Sequence, residues 1–141
     1  MPEQLDNPNK TKILIADDDP AINDALAMML EDAGYEVVTT LNAEYVRQIT
    51  PEYPDVVLLD IWMSGYNGGE ICQELKQRQE TRDIPIIMIS ANRDAEAIAK
   101  QSGADAFLAK PFEMDDLLDA ISNHIRQSSH WSANATLSPQ S

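Results

Sequence analysis

The 141-residue sequence predicts an α/β fold, a doubly wound five-stranded parallel sheet with five helices, and three observations carry that reading. Short apolar runs alternate with amphipathic segments five times, as successive βα units do. The runs at 13–16, 56–59 and 85–89 are apolar without a break, as expected of central strands covered by helices on both faces. Carboxylates, a hydroxyl and an ammonium stand just past these runs, and an open parallel sheet binds its ligands at the carboxyl ends of its strands.

The elements follow in order. After the first strand, Asp19 is placed to cap a helix that has Pro20 at its first position. Ile22, Leu26, Met29, Leu30 and Ala33 share one face of that helix, and the methionines at such spacing read as core. Gly34 ends it. The runs at 35–40 and 106–109 are weaker and belong at the sheet edges. Helices are expected at 42–49, 69–75, 94–102 and 114–126, with Gly103 stopping the fourth and Leu117, Leu118, Ile121 and Ile125 buried by the last. Residues 1–11 are polar with two prolines and read as a flexible extension, 12–126 as the domain, and 127–141 as a flexible polar tail.

Composition narrows the function. Asp and Glu outnumber Lys and Arg by 24 to 10, a formal net charge of -14 that repels nucleic acid and anionic lipid. The single cysteine, Cys72, cannot form an internal disulfide and reads as a small buried residue, which fits the reducing cytoplasm. Neither a secretion signal nor a membrane span is visible. His124 and His130 read as solvated surface residues.

The chemistry gathers at the strand ends. The first strand runs into Asp17, Asp18 and Asp19, the third into Asp60, the fourth into Ser90 and Ala91, and the fifth into Lys110 before Pro111. Two carboxylates about 4 Å apart repel by roughly 4 kcal/mol at an effective dielectric near 20, so Asp17, Asp18 and Asp60 call for a proton or a metal. A hard cation such as Mg2+ suits oxygen ligands of this kind. With Lys110 opposite, the group could neutralise a transferring phosphoryl group. Asp19 is assigned to the helix cap rather than to the metal.

Four segments, Ile13-Leu14-Ile15-Ala16-Asp17-Asp18-Asp19, Val56-Val57-Leu58-Leu59-Asp60-Ile61-Trp62-Met63, Ile86-Ile87-Met88-Ile89-Ser90-Ala91 and Lys110-Pro111-Phe112, resemble the receiver domains of two-component response regulators. The resemblance spans about residues 12 to 126. It implies a flavodoxin-like sheet of strand order 2-1-3-4-5 and a phosphoryl acceptor at Asp60. It implies Mg2+ or Mn2+ on Asp17, Asp18, Asp60 and the backbone carbonyl of Trp62. Lys110, the Ser90 hydroxyl and the Ala91 N–H would contact the phosphoryl group, Phe107 would be the aromatic switch, and the Lys110-Pro111 bond would be cis.

The implied partners are a sensor histidine kinase or a histidine phosphotransfer protein, and a downstream protein docking on the fourth helix, fifth strand and fifth helix. A phosphorylation-dependent dimer is among the expected assemblies. The loop after the acceptor departs from the family pattern, reading Met63-Ser64-Gly65 where Met-Pro-Gly is familiar; Ser90 stands where Thr is common, Phe107 where Tyr is frequent, and Trp62 is large for its place.

Nothing after Arg126 reads as an output domain, so the expectation is a stand-alone switch that modifies itself and slowly reverses, not a turnover enzyme. Three other readings fit less well. A haloacid-dehalogenase-like phosphatase would carry an Asp-x-Asp-x-Thr-type motif after the first strand, whereas here the third strand's Asp60 is followed by Ile61 and Trp62. A docking module without phosphorylation would have no need of the full set of Asp17, Asp18, Asp60, Ser90 and Lys110. A nucleotide-binding flavodoxin-like protein lacks a glycine-rich phosphate loop, and Gly65, Gly68 and Gly69 read as a turn and a helix start.

Overall fold

The computed structural model describes residues 11–48, 54–63, 66–92 and 94–130. The expected extension before Thr11, the tail beyond His130, the helix end at Ile49 and the Ser64-Gly65 pair lie outside the described residues. Five parallel strands form the sheet: β1 (Lys12–Ala16), β2 (Glu36–Thr40), β3 (Val56–Asp60), β4 (Ile86–Ser90) and β5 (Ala106–Ala109), in the order β2-β1-β3-β4-β5. The helices are α1 (Pro20–Asp32), α2 (Ala43–Arg47), α3 (Gly68–Gln77), α4 (Ala95–Ser102) and α5 (Met114–His130). A two-residue antiparallel ribbon, Trp62–Met63 against Tyr66–Asn67, joins β3 to α3.

The strand side chains alternate between two cores, as the period of two demands. Ile13, Ile15, Val56, Leu58 and Ile87 pack under α1 and α5, meeting Leu26, Leu30, Leu117 and Ile121. Leu14, Ala16, Val57, Leu59, Ile86 and Met88 pack under α2, α3 and α4, meeting Val46, Ile71, Cys72, Leu75 and Ala99. Both faces being covered, β3 and β4 are buried throughout, whereas β2 and β5 are only partly buried at the edges. In register, Ala16 lies beside Leu59 and Asp60 beside Ile89, so the carboxyl ends of β1, β3 and β4 finish on one edge.

Local signals set the helix ends. Asp19 Oδ1 accepts the Ala21 N–H at 2.9 Å, and Pro20 fills the first turn, where its missing N–H costs nothing. Gly34 and Gly103 have φ of 103° and 90°, the left-handed geometry that stops α1 and α4 at little steric cost.

Three expectations are corrected. Met28 and Met29 are 70% and 48% exposed; the buried residues of α1 are Asn23, Leu26 and Leu30, a narrower face that leaves Met29 rotated toward solvent. In α5, Leu117 and Ile121 are buried, but Leu118 and Ile125 only partly so. Finally, α5 continues to His130, past the expected end at Arg126, because backbone hydrogen bonds can extend a helix beyond its last apolar contact.

Candidate metal and phosphoryl site

Asp17 directly follows β1. It is 1% exposed, and both its carboxylate oxygens are occupied. Oδ1 accepts the Asp19 N–H at 3.0 Å, and Oδ2 accepts Lys110 Nζ at 2.8 Å. Asn23, buried on α1, donates from Nδ2 to the Asp17 carbonyl at 2.9 Å and to the Thr40 carbonyl at 3.2 Å, tying the ends of β1 and β2 together. Asp18, the next residue, is exposed.

Asp60 ends β3 and is buried. Its Oδ1 accepts the Trp62 N–H at 3.2 Å, and its Oδ2 lies 3.6 Å from Lys110 Nζ. The start of α3 presses against this strand end: the Gly68 N–H donates to the Ile61 carbonyl at 2.6 Å, and a Cβ on Gly68 would stand 2.5 Å from the Asp60 carbonyl oxygen. Only glycine fits there without displacing backbone. Asn67 Oδ1 accepts the Gly69 N–H at 2.7 Å and caps α3, so Gly68 and Gly69 do serve a helix start.

One carboxylate oxygen from each of Asp17, Asp18 and Asp60 lies within 4.8 Å of the others. Burial, then the charge of Asp17, raises the Asp60 carboxyl to about 6, although Lys110 and the Trp62 N–H pull the other way. Burial lowers the Lys110 ammonium pKa, but its hydrogen bond to Asp17 and the charges of Asp60 and Asp17 outweigh this and leave it raised. Asp17 and Asp60 thus share the Lys110 ammonium, with the Asp18 carboxylate close to both acids. A hard divalent cation with oxygen ligands fits this donor set and would relieve the repulsion that raises Asp60.

The remaining candidates surround this group. Ser90, 2% exposed, accepts the Asn92 N–H on Oγ at 3.0 Å, and its carbonyl accepts the Lys110 N–H at 2.8 Å, so β4 and β5 hold their functional residues together. Ala91 is exposed at the end of β4, and the Lys110-Pro111 peptide is cis. Phe107 is partly buried against the core beneath α4, beside Met88 in register and lining a cavity of about 200 Å³ with Ala99, Lys100 and Ala104. Trp62 is 49% exposed.

Cys72 is buried, and burial raises its thiol to about 11, which keeps it protonated and inert. Sequence reasoning missed Asn23, whose one visible signal is its spacing of three and seven residues from Leu26 and Leu30.

The chain belongs to the response regulator receiver domain family, which matches residues 13–122. It is a receiver domain of two-component signalling with an acidic Mg2+-type site, an arrangement consistent with a phosphoryl-accepting switch. It is similar to the DNA-binding dual master transcriptional regulator RpaA of Synechocystis sp., with 34% identity over 119 residues, 82% of this chain and 49% of RpaA. The chain spans about half the length of the curated relatives it matches.

Among solved structures, it resembles a CheY-like receiver domain protein of Methanospirillum hungatei JF-1 at a TM-score of 0.77 and 25% identity, covering 88% of this chain and 100% of that one. The response regulator TrrA of Thermotoga maritima, solved with Mg(2+)-BeF, matches at a TM-score of 0.73 and 30% identity, covering 81% of this chain and 98% of TrrA. Among the described residues, no helix is long and apolar enough to cross a membrane.

Proposed function

We propose that this chain is a phosphorylation-dependent switch that accepts a phosphoryl group on Asp60 from a histidine kinase or a histidine phosphotransfer protein, with Mg2+ or Mn2+ bound. The observation that carries this reading is the meeting of the Asp17, Asp18 and Asp60 carboxylates with Lys110 at one sheet edge. A carboxylate oxygen of Asp60 attacks the phosphorus of the donor's phosphohistidine. The P–N bond breaks, its electron pair leaves on the imidazole nitrogen, and a proton from solvent neutralises the ring.

Asp17, Asp18, Asp60 and the Trp62 carbonyl would hold the cation, which when bound would supply positive charge against the phosphoryl oxygens. Lys110 Nζ, 3.6 Å from Asp60, adds a further positive charge beside the acceptor. Ser90 Oγ already accepts one N–H, which leaves its own O–H to donate to the attached group, alongside the Ala91 N–H. As Ser90 moves toward phosphate, Phe107 turns inward and alters the surface of α4, β5 and α5, where a downstream protein docks. The acyl phosphate stays until water removes it, so the chain modifies itself about once and does not turn over an external substrate. The strong negative charge disfavours nucleic acid as its direct partner.

Intact-mass spectrometry after incubation with Mg2+ and acetyl phosphate tests this. The wild type should gain one acid-stable, base-labile phosphoryl group that is lost with EDTA in the incubation and in Asp60→Asn. Equal phosphorylation of the wild type and Asp60→Asn contradicts the proposal.

A further inference from the structure

The ribbon that follows the acceptor strand has only two residues on each side, too little pairing to hold itself in place. It nevertheless carries functional contacts at both ends. The Trp62 N–H reaches Asp60 Oδ1 at 3.2 Å, and Asn67 caps α3 with its side chain. In the sequence, Ser64 and Gly65 separate its two sides, Trp62–Met63 and Tyr66–Asn67.

Arg47 of α2 reaches this ribbon from the side. Its Nε lies 2.8 Å from Glu74 Oε1 on α3, its Nη1 lies 3.1 Å from Glu44 Oε1, and its guanidinium carbon stands 5.5 Å from the centroid of the Tyr66 ring. Its carbonyl accepts Arg78 Nη2 at 2.6 Å. A planar cation fixed by two carboxylates and set over an aromatic ring is a clamp that neither partner forms alone.

From this geometry we infer that Arg47 is a positioning residue for the acceptor site: it fixes Tyr66, and through the ribbon it fixes the Trp62 backbone against Asp60. The inference deepens the reading of Asp60 and the Trp62 carbonyl as a metal site and rests on it. Hydrogen exchange measured without metal provides a readout independent of that reading. In Arg47→Met and in Tyr66→Ala, amides at Trp62 and 66–68 should exchange about two- to fivefold faster, the range expected for losing a partly exposed cation–π contact. Exchange in β1 and β4 should stay unchanged. Tyr66→Phe, which keeps the ring, should match the wild type, and the Arg47→Met, Tyr66→Ala double variant should be no worse than either single one.

By calorimetry, Mg2+ should bind the two disruptive variants more weakly by about the same factor, again from the size of that contact. Unchanged ribbon exchange, or faster exchange across the whole sheet, overturns the clamp. Faster ribbon exchange with unaltered Mg2+ affinity overturns its positioning role. A wild type that does not bind Mg2+ removes the metal reading itself, and the exchange result then decides the clamp by itself.

Discussion

Asp60 is held in a state that the metal-free fold disfavours. Its carboxyl is raised from 3.8 to about 6, chiefly by burial and by Asp17. Because the folded value lies above the unfolded one, the native state favours the protonated acid. That stabilising contribution is present below about pH 4 and is lost as pH rises through about 6, so at neutral pH the ionised Asp60 weighs against folding. Asp60→Asn should therefore stabilise the metal-free protein at neutral pH by on the order of 1–3 kcal/mol, with the gain fading toward pH 4. Urea unfolding in EDTA across that range measures it, and a gain that does not change with pH contradicts this account. Saturating Mg2+ should shrink the difference by stabilising the wild type.

At the same scale, the sequence revealed some residues and concealed others. Asp17, Asp18, Asp60, Ser90 and Lys110 were legible because each stands at the end of an apolar run, where strand direction alone sends it to one edge. Asn23 and Arg47 were not, since their partners are Thr40, Glu74 and Tyr66, contacts that only the folded chain creates. Met29 misled because apolar spacing gives the centre of a helix face but not its width.

Among the elements, the central strands were readable from unbroken apolar runs and the start of α1 from its cap. The Trp62 to Asn67 ribbon was invisible, as two paired residues have no period to detect. The element expected to respond most to phosphorylation is the α4–β5 unit. Its helix is eight residues long and rests on Ala95 and Ala99, and Phe107 is only partly buried against the same core. Small side chains and incomplete burial should let this layer shift at low cost between two arrangements.

Phosphorylation, or beryllofluoride with Mg2+ as its mimic, should thus change hydrogen exchange across residues 94–108 as well as around Asp60. In Lys110→Ala, Mg2+ binding should persist while the change at 94–108 disappears, because in the proposed switch that lysine would meet the phosphoryl group rather than the cation. Loss of Mg2+ binding in that variant, or exchange altered only beside Asp60 in the wild type, contradicts the relay.

Across the whole molecule, one topology accounts for the site. With β1 and β3 adjacent and β4 and β5 beyond them, Asp17, Asp60, Ser90 and Lys110 come from four separate strands yet converge at one edge. The two cores on either side of the sheet pack against the strands, whose last residues, Asp60 and Ser90, and the residues just after them, Asp17 and Lys110, form the site. The most direct test of the central claim is to locate the modification. After incubation with Mg2+ and acetyl phosphate, borohydride reduces an aspartyl phosphate to homoserine, and peptide mapping then reads its position. The account predicts homoserine at position 60, dependent on Mg2+ and absent without the phosphodonor; reduction at another aspartate, or none, would contradict it.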